Sequence, residues 1–147
     1  MRWNSWTLTS LPGLLAGALL LCTPGLSLLA AQTASPPEYQ MEMKEAWIAL
    51  PDGVRLAADL YMPAGDVAGK KFPVILEYLP YRKTESRSRN YSMYSYFVER
   101  GYVLARVDIR GTGNSEGTLI PYEYSDIEQV DGETVIDWLS KQEWSNG

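Results

Sequence analysis

The sequence predicts an α/β fold in which leading antiparallel strands are followed by parallel ones, on three observations. The run Tyr102-Val103-Leu104-Ala105, continued by Val107 and Ile109, is apolar, β-branched and bounded by glycines, as in a strand buried in a parallel sheet. Helical spacing precedes it, ending at Gly101, and returns after a glycine-rich loop, so the local order is helix, strand, loop, helix. Two further strand-like runs, Met43 to Leu50 and Val54 to Met62, are joined by Pro51-Asp52-Gly53, whose turn chemistry suits a hairpin. That order belongs to a sheet with crossover helices against it and function at the carboxyl ends of its strands.

From the amino terminus, residues 1–34 are expected to be an export signal. Arg2 is the only charge before the apolar segment Leu11 to Ala31, and the small residues Ala30, Ala31 and Ala34 suit cleavage. Pro12 and Pro24 disfavour a straight membrane helix, with an uncleaved anchor as the alternative. Leu21 before Cys22 does not suit a lipoprotein cleavage site, where a small residue is expected. Without Arg2 the chain has 12 basic against 18 acidic side chains, a net charge of −6. The expected mature protein is therefore exported (periplasmic or extracellular), acidic and free of the membrane. Residues 35–42, with Ser35-Pro36-Pro37, read as a linker, and 43–147 as a partial domain.

On the second strand-like run Val54, Leu56, Ala58 and Leu60 alternate with Arg55, Ala57, Asp59 and Tyr61, which predicts one solvated face. Pro63 to Lys71 is a polar loop, and Phe72 to Leu79 is a third strand ended by Pro80-Tyr81. The basic stretch Arg82 to Arg89 is expected as a solvated surface loop, with steering of an anionic ligand as the alternative. Met93, Tyr94, Phe97 and Val98 give Tyr91 to Arg100 the spacing of a short crossover helix, stopped by Gly101. Ser125-x-x-Glu128 is a capping-box pattern opening a second helix that runs to about Gln142. Its buried face is expected to hold Ile127, Val130, Val135, Trp138 and Leu139, with Asp131 among them and in need of a partner. Arg110 is the predicted partner of Asp131 or Asp126, because a guanidinium can satisfy both carboxylate oxygens. After the turn residues Trp144 to Gly147 another strand is expected. Without it the central strand would lack a neighbour, and the isolated segment would be poorly soluble or molten.

Composition narrows the function. There is no histidine, so a Ser-His-Asp or Cys-His machinery is not complete within these 147 residues. Cys22 is the one cysteine and lies in the expected signal, so no disulfide, thiolate chemistry or metal site is expected. A net charge of −5 argues against a nucleic-acid partner. Gly113-Asn114-Ser115-Glu116-Gly117 spells G-x-S-x-G, but a nucleophile elbow passes directly from strand to helix. Here Arg110 to Thr112 intervene and Thr118-Leu119-Ile120-Pro121 follow, so Ser115 reads as a turn serine bonding nearby backbone. Gly111-Thr112-Gly113 has the wrong spacing for a dinucleotide loop, and no helix opens behind it; no cofactor is expected. Asp108, Arg110, Gly111, Gly113 and Ser115 are read as structural residues of this loop.

Four segments in this order resemble the amino-terminal part of the Xaa-Pro dipeptidyl-peptidase and cocaine-esterase-like group of α/β-hydrolases. They are LPDGVRLAADLYMP (50–63), EYLPYRK (77–83), GYVLARVDIRGTGNSEG (101–117) and IDWLSKQEWSNG (136–147). The resemblance runs from about Glu45 to Gly147 and implies an incomplete α/β-hydrolase sheet. It also implies a serine hydrolase, which the expected signal would make an exported one, cleaving esters or amides of small molecules or peptides through an acyl-enzyme. In that group a strand and a G-x-S-Y-x-G nucleophile elbow come next, with aspartate and histidine much later. All three fall outside these residues, so the chain alone is expected to be inactive. The resemblance further gives a role to Tyr81, in Pro80-Tyr81-Arg82-Lys83, which matches the tyrosine whose hydroxyl helps form the oxyanion hole. Its partner would be the backbone N–H after the nucleophile. In α/β-hydrolases one oxyanion donor does come from the loop after this strand; the alternative is that Tyr81 only packs beneath that loop. A rival from another class is a non-catalytic exported binding module with a tyrosine-rich ligand surface.

Overall fold

The computed structural model describes residues 34–85, 87–122 and 124–147; apart from Ala34, the expected export signal lies outside them. In chain order the elements are β1 (Gln40–Ala49), β2 (Arg55–Ala64), β3 (Val74–Leu79), α1 (Arg87–Val98), β4 (Val103–Asp108) and α2 (Asp126–Ser140). The sheet runs β1-β2-β4-β3, with β2 antiparallel to both β1 and β4, and β3 parallel to β4. The expected leading antiparallel pair and the parallel pair bridged by a helix are both present. The β1–β2 turn closes through Leu50 N–H to Val54 O (2.8 Å), with the Asp52 carboxylate accepting Val54 N–H and Gly53 at φ +86°.

Strand alternation divides the interior in two. Val103, Ala105 and Val107 of β4 lie with Leu56, Ala58, Leu60 and Met62 of β2 on one face, which Val135 and Leu139 of α2 cover. Tyr61 and Leu104 point to the other face, under Tyr94 and Val98 of α1. Each such Val, Leu or Met side chain contributes roughly 1.5–3 kcal/mol on burial, so both helices are held by the sheet rather than by their own propensity.

Several expectations change here. β2 is not half-solvated: Leu56 to Pro63 are all buried, because strands flank it on both edges and helices cover both faces. Its alternation separates an apolar environment from a polar one, both inside the protein. The basic stretch is a solvated loop only in part: Arg82, Thr84 and Glu85 are exposed, but Lys83 is buried and Arg87 opens α1. β1 begins at Gln40, within the segment read as a linker. On α2 the buried row is Asp131, Val135 and Leu139, spaced i, i+4, i+8. Trp138 packs beside that core, whereas Val130 lies about 100° off the row and, like Ile127, is exposed. Met93 of α1 is exposed as well. Finally, β4 has a neighbour on each side, and β3 is the edge strand, because the crossover places it outside β4. Residues near Gly147 already begin a parallel ladder on β3's side, with Phe72 N–H to Trp144 O at 2.9 Å and Asn146 N–H to Phe72 O at 3.2 Å.

Candidate active site

The carboxyl ends of the two parallel strands release two loops side by side, the position where open α/β sheets bind ligands. β3 ends at Leu79 and leads into Pro80-Tyr81-Arg82-Lys83; β4 ends at Asp108 and leads into the glycine loop. The last rung between them is Ile109 N–H to Leu79 O, 3.0 Å. A cavity of about 320 Å³ opens between the loops and α2, lined by Pro80, Tyr81, Ile109, Leu119, Tyr122 and Glu128. Tyr81 stands on its wall, 73 % exposed. Glu128 doubles as part of the helix start, where Ser125 caps its N–H and its carboxylate takes Tyr124 N–H at 3.0 Å.

Beneath Tyr81 lies a buried ionic layer. The strand register puts Asp59 (β2), Arg106 (β4) and Glu77 (β3) in one row across the sheet. Arg106 donates from Nε to Glu77 Oε2 (2.6 Å) and from Nη1 to the Lys83 carbonyl, and Tyr94 Oη donates to Glu77 at 3.2 Å. Asp59, fully buried, takes Lys83 Nζ at 2.6 Å on one oxygen and Arg87 on the other. Each buried charge of this layer thus has an opposite partner, as desolvation demands. Burial pushes the phenols of Tyr61, Tyr78 and Tyr94 up from their ordinary range, so all three are neutral.

Asp108, also fully buried, joins the two loops. It accepts Lys83 N–H on Oδ1 and Asn114 N–H on Oδ2 at 2.9 Å. Gly113, at φ +51°, belongs to this contact, for a Cβ there would overlap the carboxylate. Ser115 turns inward: its hydroxyl donates to Asp108 O (2.7 Å) and accepts Ala57 N–H (2.8 Å), so it continues the β2 pairing beyond the last β4 residue. Arg110 meets Asp131 through two 2.8 Å bonds, the predicted fork, and adds a third to Asp52 at 2.6 Å. Those acids raise the arginine further above its ordinary value, Asp131 first, and Arg110 in turn holds Asp52 below the usual carboxylate range. Asp126 is not among the partners of Arg110. Among the described residues no group of three or more His, Cys, Asp or Glu gathers as a metal site.

The sequence reading brought Tyr81, Asp108, Arg110, Gly111, Gly113 and Ser115 to one end of the sheet but passed over Asp59, Glu77, Lys83, Arg87 and Arg106. A signal existed: Asp59, Glu77 and Arg106 are charges in the middle of largely apolar strand runs. Such charges are buried at a cost unless they meet each other.

Strand order, crossover helix and a cavity between the β3 and β4 loops define the class, an α/β-hydrolase sheet. Within that class the chain belongs to the X-Pro dipeptidyl-peptidase (S15) family, whose model matches residues 52–147. It is 36% identical over 98 residues to the cocaine esterase of a Rhodococcus species, covering 65% of this chain and 16% of that one. It is 31% identical over 138 residues to a Mycobacterium bovis protein named as a serine esterase, covering 79% of this chain and 21% of that one. Among solved structures, a CocE/NonD family hydrolase from Staphylococcus aureus superposes with a TM-score of 0.60 at 28% identity, over 72% of this chain and 21% of that one. The family is one of hydrolases, esterases and dipeptidyl-peptidases together. The chain spans about a fifth of the length of these relatives.

Proposed function

We propose that this chain is the amino-terminal part of an exported serine hydrolase that cleaves ester or amide bonds of small molecules or peptides through an acyl-enzyme. The observation that carries the reading is Tyr81: an exposed phenol at the carboxyl end of a parallel strand, on the wall of a cavity, in a loop fixed from below by buried charges. A phenol there donates a hydrogen bond to the carbonyl oxygen of the scissile bond as that oxygen gains charge. A well-placed donor of this kind lowers the barrier by roughly 3–4 kcal/mol. The nucleophilic serine, its histidine base and the aspartate come from outside these residues, which contain no histidine, and the 147 residues alone are inactive. Ser115 is not the nucleophile, because its proton and an acceptor lone pair are both engaged by backbone. Export follows from the apolar stretch Leu11 to Ala31 with Arg2 ahead of it.

Steady-state kinetics on an activated ester test this in the hydrolase of full family length. Tyr81→Phe keeps the ring and loses the hydroxyl, so kcat should fall about tenfold to a thousandfold with little change in KM. Ser115→Ala should retain most activity. An inactive Ser115→Ala beside a fully active Tyr81→Phe would reverse both assignments. The exposed tyrosines Tyr81, Tyr122 and Tyr124 also suit a binding surface without chemistry. That second reading requires ligand binding with no turnover in the full-length protein.

A further inference from the structure

We propose that Asp108 is a positioning residue for Tyr81, an inference that rests on the oxyanion role above. Tyr81 is mostly exposed, so its direction is set by the backbone on either side of it rather than by packing of the ring. On the near side, Leu79 is fixed by the rung to Ile109. On the far side, Arg82 is held at φ +68°, a left-handed conformation that a side-chain-bearing residue keeps only where its surroundings impose it. The imposing contact comes one residue later, where Lys83 N–H donates to Asp108 Oδ1.

Asp108 is suited to this work because it is fully buried at the last position of β4, so its carboxylate is anchored to the sheet. Its second oxygen holds Asn114 N–H, and its carbonyl holds the Ser115 hydroxyl. One side chain therefore fixes the relative placement of both loops that wall the cavity, one carrying Tyr81 and the other Ile109, Thr112 and Leu119. An amide in its place would face one of the two N–H donors with a donor of its own, and that loop would be released. Lys83 would still be tied by its carbonyl to Arg106 and by Nζ to Asp59. The ionic layer below would survive, and what changes is the path of Arg82 and the aim of Tyr81.

The test is a double-mutant cycle in the hydrolase of full family length. Asp108→Asn should lower kcat about tenfold or more with KM altered less than about threefold, and should cost less than about twofold once Tyr81 is phenylalanine. An unchanged kcat for Asp108→Asn, or an equal loss in the two backgrounds, would overturn the positioning role while leaving the oxyanion role intact. A fully active Tyr81→Phe would overturn the oxyanion role and this inference with it. Should Asp108→Asn fail to fold by circular dichroism, Gly113→Ala displaces the same carboxylate from the glycine-loop side and is read through the same cycle.

Discussion

Arg110 shows how one side chain can hold three parts of the chain together. Its guanidinium is buried between Asp131 of α2 and Asp52 of the β1–β2 turn, and it stands two residues past the end of β4. Removing it would strand the Asp131 carboxylate in the interior, which costs more than the pair itself contributes. Arg110→Ala is expected to destabilise the protein by about 3–5 kcal/mol, measured by denaturant unfolding, and Arg110→Lys should not restore it because an ammonium lacks the planar fork. A loss below ~1 kcal/mol for the alanine variant would mean that Asp131 finds water or another donor. The Asp131 contact was legible in the sequence, since an acid on an apolar helix face demands a cation. The Asp52 contact was not: it depends on the hairpin turn folding back over the end of β4, and nothing local to Asp52 announces that.

β2 is the element whose sequence misled. Strict alternation of apolar with polar residues normally marks a strand with one wet face, yet here the polar face is covered by α1 and lined with Asp59 and Tyr61. Period alone reports that the two faces differ, not that one of them meets water. The same helix carries Tyr94, which packs on Tyr61, and burial raises the phenol values of both. A raised folded value means that the stability contributed by the neutral phenols is complete below the ordinary value of about 10 and is lost as pH rises through the folded value. Melting temperature should therefore hold up to about pH 10 and fall above it. Tyr61→Phe, which keeps the ring and removes the titrating group, should soften that alkaline fall; an identical profile for the variant would place the alkaline transition elsewhere. Element types and order were readable from runs and turn residues. The start of α1 at Arg87 was not, because its first turn, Arg87-Ser88-Arg89-Asn90, has the composition of a loop and gains its helix from the Asp59 contact and the packing of Tyr94 and Val98.

Across the whole molecule, the residues divide between a sheet that supplies position and two loops that supply the site. The sheet's charged row lies directly under the loop that bears Tyr81, so the most exposed candidate residue rests on the most elaborately paired part of the interior. The relatives compared extend well beyond the matched part, which is 21% of each, and the chemistry proposed needs a serine and a histidine from that remainder. The measurement that tests this most directly is a crystal structure of the hydrolase of full family length with an arylboronate on its nucleophile, a mimic of the tetrahedral intermediate. The account predicts the boronate on a serine beyond residue 147, with one boronate oxygen about 2.5–3.0 Å from Tyr81 Oη and Asp108 still bridging Lys83 and Asn114. A boronate carried by Ser115, or a Tyr81 hydroxyl turned to solvent while the tetrahedral oxygen is held by other donors, would contradict it.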